Sequence, residues 1–422
     1  MRFLTVPRQL AVIALCLLAA PGLAQQGAAD LGARLLAQPE PAAAVALAAS
    51  VESWVLDQQI ALCEIPAPPF KEQARGAAYR KAFEQLGLQR VRVDAAGNVI
   101  GERPGTGAGP HLVFTAHLDT VFPEGTTVTV TRTASKLSGP GISDDCRGLG
   151  VVLGVIRALR DGKVRTPGRI TFVGTVGEEG LGDLRGVKQL FGPDGLGRID
   201  RFVSVDGAGL GITNGGVGSK RYRATFRGPG GHSYGAFGLP NPLHAMGRAI
   251  AAIAAMEVPA SPKTTFNVGR VSGGTSVNSI PFESWMEVDL RSEDASTLAA
   301  LDGRVRPAVD AAVQAENTRW QHAQRVSVDM KLVGDRPAGR TADTSDIVVA
   351  ASSVLQALSL PVALRNSSTD ANVPMARGVP AITIGGGGRG VGAHSLEESF
   401  EIAGGTDGVR QAILMAIALA QP

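Results

Sequence analysis

The sequence predicts an α/β fold: a mostly parallel central sheet with helices on both faces, interrupted by an inserted ferredoxin-like α+β domain. Three observations predict it. Near-continuous apolar runs such as "HLVFTA" (111–116), "RITFVGTV" (169–176) and "RFVSV" (201–205) alternate with helical stretches, the pattern of strands covered on both sides. From about residue 214 to 333 the rhythm becomes β-α-β-β-α-β, that of a small two-layer domain. Beyond it, "SDIVVAASSVLQALSL", "PVALRN" and "PAITIGG" resume the first pattern.

The elements follow in order. "MRFLTVPRQLAVIALCLLAAPGLAQQ" has a basic start, ~11 apolar residues and a small residue, Ala24, for cleavage; the run is short of the ~18 to 20 needed to span a bilayer. Residues 1–24 therefore read as a secretory signal, and the mature chain as secreted or periplasmic. An Ala-rich helical stretch (26–62) ends at "EIPAPP", whose prolines forbid continuation. A helix over "KEQARGAAYRKAFEQLGL" stops at Gly87, and "RVRVDAAGNVIGE" reads as two short strands about a Gly-Asn turn. "GLGVVLGVIRALRDG" (148–162) is the next helix. In the insertion, "KRYRATFR", "TTFNVGRV", "ESWMEVDLRS" and "RVSVDMKLV" alternate as strands, while "NPLHAMGRAIAAIAAME" and "DASTLAALDGRVRPAVDAAVQAEN" are helical. The expected division is 25–213 and 334–422 for the main α/β domain and 214–333 for the inserted domain.

Composition narrows the function. Hydrophobic residues at 44% and charged residues at 19% of 422 describe a globular chain rather than a disordered one. The net charge of +3 falls to about +1 when Arg2 and Arg8 leave with the leader, and no basic block occurs. Neither nucleic acid nor, after signal removal, a membrane is expected as partner.

In an open α/β sheet, ligands collect outside the carboxyl ends of the strands. His117 and Asp119 follow one strand, Glu178 and Glu179 a second, and Asp206 a third; Asp144 lies in the loop "GPGISDD", and His394 in "GVGAHSLEE". Each has an ordinary structural explanation alone. Together they place two of the chain's six histidines and several carboxylates at one edge. Imidazole nitrogen with carboxylate oxygen is what zinc accepts where thiolates are lacking, and five such ligands with one shared carboxylate suit two ions. In this reading His117 binds metal, the Asp119 carboxylate accepts its other ring N–H, and one of the two glutamates serves as general base.

The motifs "AHLDTVFP", "GPGISDD", "TVGEEG", "SVDG", "GPGGHSYGAFG", "VNSIP" and "GAHSLEE" make the sequence resemble, over nearly all its mature length, the co-catalytic zinc exopeptidase and deacylase family of aminoacylase, glutamate carboxypeptidase, succinyl-diaminopimelate desuccinylase and peptidase T. The resemblance implies two zinc ions, with manganese or cobalt as substitutes. It places His117 and Asp206 on one ion and Glu179 and His394 on the other, with Asp144 bridging and Glu178 as base. Asp145 resembles the residue that forms a cis peptide with the bridging Asp and stays outside the ligand set. The main domain resembles the family's catalytic zinc domain, and the insertion at 214–333 resembles its lid, which implies a homodimer; His232 resembles a lid histidine that reaches a partner subunit's site and steadies the oxyanion, and Asn278 and Arg291 resemble substrate-binding lid residues. One departure is "DDCR" (144–147), where many relatives have a lysine. Cys146 reads as a small buried filler; two cysteines do not make a disulfide framework, though Cys63 and Cys146 could pair in an oxidising compartment, and the sequence leaves that pairing open.

The expected activity is amide hydrolysis by a secreted metallopeptidase, an aminopeptidase or carboxypeptidase on short peptides, with N-acyl amino acids as the alternative substrate. A non-catalytic zinc or peptide binder on the same scaffold is the rival, though it has no need of Glu178. A dinucleotide-binding oxidoreductase is disfavoured, since no G-x-G-x-x-G opens a helix after the first strand.

Overall fold

The structure, a computed structural model, describes residues 27–422, so the proposed signal lies outside the described residues. Its central sheet runs in the order Gln89–Val93, Val99–Arg103, Ile170–Thr175, Leu112–His117, Arg201–Val205, Ala381–Ile384, Ile212–Gly216, Gly339–Arg340, with Leu364–Ser367 also paired to Ile212–Gly216. The middle pairings and that of Leu364–Ser367 with Ile212–Gly216 are parallel, and the others antiparallel. Every residue of Leu112–His117 and Ile170–Thr175 is buried, which is why those runs show no polar alternation.

Period two still operates inside the buried strands. Leu112, Phe114 and Ala116 face a core built with helices Ala48–Cys63, Cys146–Asp161 and Gly405–Ala418. Val113 and Phe202 face the opposite core, with Val187 and Leu190 of helix Arg185–Leu190. Helix Cys146–Asp161 starts earlier than the apolar pattern suggests, because Asp145 caps it by accepting the Gly148 N–H at 3.0 Å.

The lid has the expected β-α-β-β-α-β order. Its antiparallel sheet runs Thr264–Gly273, Glu283–Ser292, Gly218–Arg227, Ser327–Arg336. Alternate residues of Glu283–Ser292 are buried, and Met286, Val288 and Leu290 pack under helices Pro242–Ala254 and Ala295–Trp320. Asn241 and Asp294 cap those helices. The chain enters the lid at Val217 and leaves it at Pro337, and the buried Asn372 amide donates to both carbonyls, at 2.8 and 2.9 Å. One side chain of the catalytic domain thus clasps both crossings.

Two small sheets were not foreseen. A ribbon pairs Gly231–His232 with Ser279–Ile280 and projects from the lid. A four-stranded sheet, Arg389–Val391, Ser399–Glu401, Lys136–Ser138 and Thr131–Arg132, joins the approach to Asp144 to the stretch after His394.

The fold decides the cysteine pairing that the sequence leaves open. Cys63 and Cys146 form a disulfide with Cα atoms 5.4 Å apart. The last residue of helix Ala48–Cys63 and the first of Cys146–Asp161 meet where both helices pack against the sheet, a proximity that a sequence separation of 83 hides from the sequence.

Candidate metal centre

His117 ends strand Leu112–His117 with its ring fully buried. Its Nε2 lies 3.0 Å from Asp144 Oδ1, and the other oxygen of Asp144 lies 3.3 Å from His394 Nε2. His394 Nε2 is also 3.0 Å from Glu179 Oε1. The two oxygens of Asp144 therefore face two different histidines, the disposition of a carboxylate shared between two sites. Donor atoms of His117, Asp144 and Glu179 lie within 4.8 Å of one another, as do those of His117, Asp145 and Asp206. The structure thus brings together all five residues expected to ligate metal.

Asp145, which shares a cis peptide with Asp144, accepts backbone N–H groups from His117 (3.1 Å), Gly148 (3.0 Å) and Gly207 (3.0 Å). With its oxygens so engaged, Asp145 shapes the loop, and Asp206 is the carboxylate of this group that could hold a metal beside His117. Two nitrogens and three carboxylates in two touching clusters suit two divalent ions of the hard-to-borderline kind.

The role expected of Asp119 needs correction. Its main-chain carbonyl, not its carboxylate, lies 3.0 Å from His117 Nδ1, while the nearest carboxylate oxygen is 3.7 Å away. The carboxylate instead accepts the N–H groups of Glu178 (3.0 Å) and Glu179 (2.8 Å). Two amide donors stabilise a buried charge better than one neutral ring does, so the side chain turns to them. Burial pushes its pKa up to about 6, opposed by His117 and these N–H groups.

The same balance acts across the cluster. Burial works against the charge on Asp144, yet hydrogen bonds from His117 and His394 hold it well below the usual carboxylate range. Burial and the Asp144 charge push Asp206 up to about 7. His394, 53% exposed at its side chain, is raised to about 10 by hydrogen bonds to Asp144 and Glu179. Burial raises Glu178 well above its ordinary value despite the attraction of Arg336 and His117. A carboxyl that resists losing its proton is a strong acceptor once it has done so.

Arg336 escaped sequence reasoning. It ends the last lid strand, is buried, and donates from Nη1 to Glu178 Oε1 at 3.1 Å and from Nη2 to the Glu178 carbonyl. An arginine before a proline in "GDRPAG" gives no periodic signal, and only the folded lid exit brings it to the glutamate. Arg147, flagged as a departure, points away from the centre. It is fully buried, pairs with Glu52 at 3.0 Å and donates to the carbonyls of Gly386 and Gly405, both at 2.7 Å.

The lid residues are placed differently. Arg291 pairs with Asp289 at 2.7 Å and lines a cavity of about 340 Å³ with Arg221, Leu181 and Gly180, the residue after Glu179. His232 lies on the exposed ribbon opposite Ser279, and Asn278, also exposed, directly precedes that strand and accepts the Ser233 N–H on its carbonyl at 2.9 Å. Among the described residues no hydrogen bond or ion pair joins either to the cluster. His232 Nδ1 accepts the N–H groups of Tyr234 and Gly235 at 3.2 Å, so its Nε2 carries any proton it can offer.

Fold and site together define a metal-dependent hydrolase of the peptidase and amidohydrolase class. Residues 113–417 match Peptidase family M20/M25/M40, and the chain belongs to that family. It is 25% identical to Uncharacterized protein YqjE of Bacillus subtilis (strain 168) over 357 residues, 79% of this chain and 90% of that one. Aminopeptidase PepT from Bacillus cereus ATCC 10987 superposes with a TM-score of 0.70 at 21% identity, covering 88% of this chain and 99% of PepT. The Bacillus subtilis YXEP protein, a dinuclear metal binding peptidase, superposes with a TM-score of 0.63 at 16% identity, covering 87% and 98%.

Proposed function

We propose that the chain is an exported two-zinc exopeptidase that hydrolyses the terminal amide bond of short peptides. One observation carries the reading: Glu178, a buried carboxyl with a raised pKa, stands beside a donor cluster suited to two divalent ions. His117 and Asp206 would hold one ion and Glu179 and His394 the other, with Asp144 between them. Two ions there would supply Lewis-acid polarisation of the scissile carbonyl and acidify the attacking water.

Glu178 takes the proton of that water and hands it to the leaving amine. Arg336 grips both the carboxylate and the carbonyl of Glu178 and so keeps the base aimed. Asp119 fixes the peptide that carries Glu178 and Glu179. His232, with its proton on Nε2, steadies the oxyanion from a second copy of the chain, and Asn278 next to it contacts substrate. Arg291 suits a substrate carboxylate. That group is common to a peptide C-terminus and an N-acyl amino acid, which supports deacylation as a second reading.

Export is supported by the leader-like first 24 residues and by the disulfide, which belongs to an oxidising compartment. No helix among the described residues is long and apolar enough to cross a membrane.

The deciding experiment offers tripeptides with either end blocked, and N-acyl amino acids, before and after chelation and after zinc is restored. Cleavage that requires one unblocked end, is lost on chelation and returns with zinc is the expected result. Glu178→Ala should abolish turnover while zinc content persists. A zinc-loaded protein that cleaves nothing in the panel would leave only a binding role.

A further inference from the structure

The motif "GAHSLEE" contains a carboxylate that the mechanism above does not use. Glu398 is fully buried, four residues after His394. Its Oε1 accepts the Ser143 N–H at 2.8 Å, the Ser143 hydroxyl at 2.6 Å and the Asp144 N–H at 3.0 Å, while its Oε2 accepts the Gly141 N–H at 3.0 Å. Its own carbonyl accepts the Gly139 N–H at 2.9 Å. Five bonds from one residue thus hold the loop that presents Asp144. Beyond Glu398, Ser399 pairs with Ser138 and continues the same register.

We infer that Glu398 is a positioning residue that sets the metal affinity of the centre by locking the Asp144 loop to the segment carrying His394. Asp144 has to present one oxygen to the His117 side and the other to the His394 side, and its backbone N–H is fixed by Glu398. The His394 side chain is half-exposed, while its backbone adopts a φ of 67°, a conformation that a non-glycine residue keeps only where neighbouring structure imposes it. The Glu398 tie supplies the restraint from outside the donor set. An ionised carboxylate suits this place because four donors converge on it and acceptor-only chemistry is required on both oxygens. Glu397, the neighbouring acid, is exposed and makes none of these bonds.

The inference rests on the two-ion reading, and its test separates the two. Glu398→Gln keeps the size of the side chain but turns an NH₂ group toward at least one N–H donor. Zinc binding is measured by competition with a chromophoric chelator on wild type, Glu398→Gln and Glu397→Gln, with circular dichroism and thermal melting of the zinc-free proteins as a check on folding. Expected are wild-type affinity for Glu397→Gln and roughly tenfold or greater weakening for Glu398→Gln, within the range seen when partners of metal ligands are removed. Activity of Glu398→Gln should return toward the wild-type kcat as zinc is raised, which a merely structural defect would not allow.

A folded Glu398→Gln protein that binds zinc as tightly as wild type overturns the inference. If Glu398→Gln does not fold, Ser143→Ala decides, since it removes one of the hydrogen bonds to Oε1: a several-fold loss of zinc affinity supports the tie and an unchanged affinity refutes it. A wild-type protein that binds no zinc would instead sink the two-ion reading itself.

Discussion

At the scale of single residues the centre is a set of charges held together by protons when metal is missing. His394, raised to about 10 by its carboxylate partners, lends stability that is complete below the ordinary histidine value of ~6.5 and lost as pH climbs through 10. Asp206, pushed up to about 7 by burial and by Asp144, and Asp119, pushed up to about 6 by burial, work in the same sense: stability linked to their protons is complete below ~4 and lost as pH rises through 6 to 7. Asp144, held below the usual range, stabilises the fold above ~4 and so contributes evenly from pH 5 to 8. Among the described residues, His111, whose burial pulls its pKa down, opposes the trend. The metal-free protein should therefore melt at a lower temperature at pH 8 than at pH 5, and zinc should raise the melting temperature more at pH 8, where fewer protons must leave. Melting curves of chelated and zinc-restored protein at the two pH values check this. A chelated protein that is more stable at pH 8 would contradict the electrostatic account.

At the scale of elements, the disulfide and the small sheet decide how the Asp144 loop is held. Cys63 and Cys146 are fully buried with Leu56, Leu137, Ile142 and Phe400, and they fasten two helix ends beside the centre. Closing a loop of this size typically contributes about 2–5 kcal/mol. Cys63→Ala/Cys146→Ala should lower the melting temperature of the zinc-loaded protein by several degrees. Wild type unfolded without reductant should show no reactive thiol from this pair; reactive thiols at both Cys63 and Cys146 would refute the pairing. The strands ending at His117, Glu178 and Asp206 were legible because apolar runs stop at polar residues there. The lid was legible because its strands alternate. Lys136–Ser138 and Ser399–Glu401 were not, since three residues are too few to display a period. The Asp119 carboxylate was misassigned for a related reason. Its N–H donors lie 59 and 60 residues away, whereas the His117 ring lies only two residues away in sequence.

At the scale of the whole molecule, His232 and Asn278 stand on a ribbon that bonds to nothing in the cluster of their own chain. Around them Tyr234, Phe237, Val277 and Phe282 are strongly exposed. Apolar side chains clustered beside polar groups mark a surface made to be covered. The outer lid strand Thr264–Gly273 is mostly exposed and leaves a sheet edge open nearby. A second copy docked on the lid would cover the patch and carry His232 into the partner's site, each chain completing the other, as a two-fold arrangement requires. Glu178→Ala and His232→Ala proteins, each inactive alone, should then regain activity when unfolded together and refolded as a mixture. Random pairing makes half the dimers mixed, each with one complete site, so the recovered rate should approach about a quarter of wild type. Sedimentation should show a dimer in the same samples. If His232 instead served its own chain, every site in the mixture would still lack one residue and no rate would return, whatever the oligomeric state.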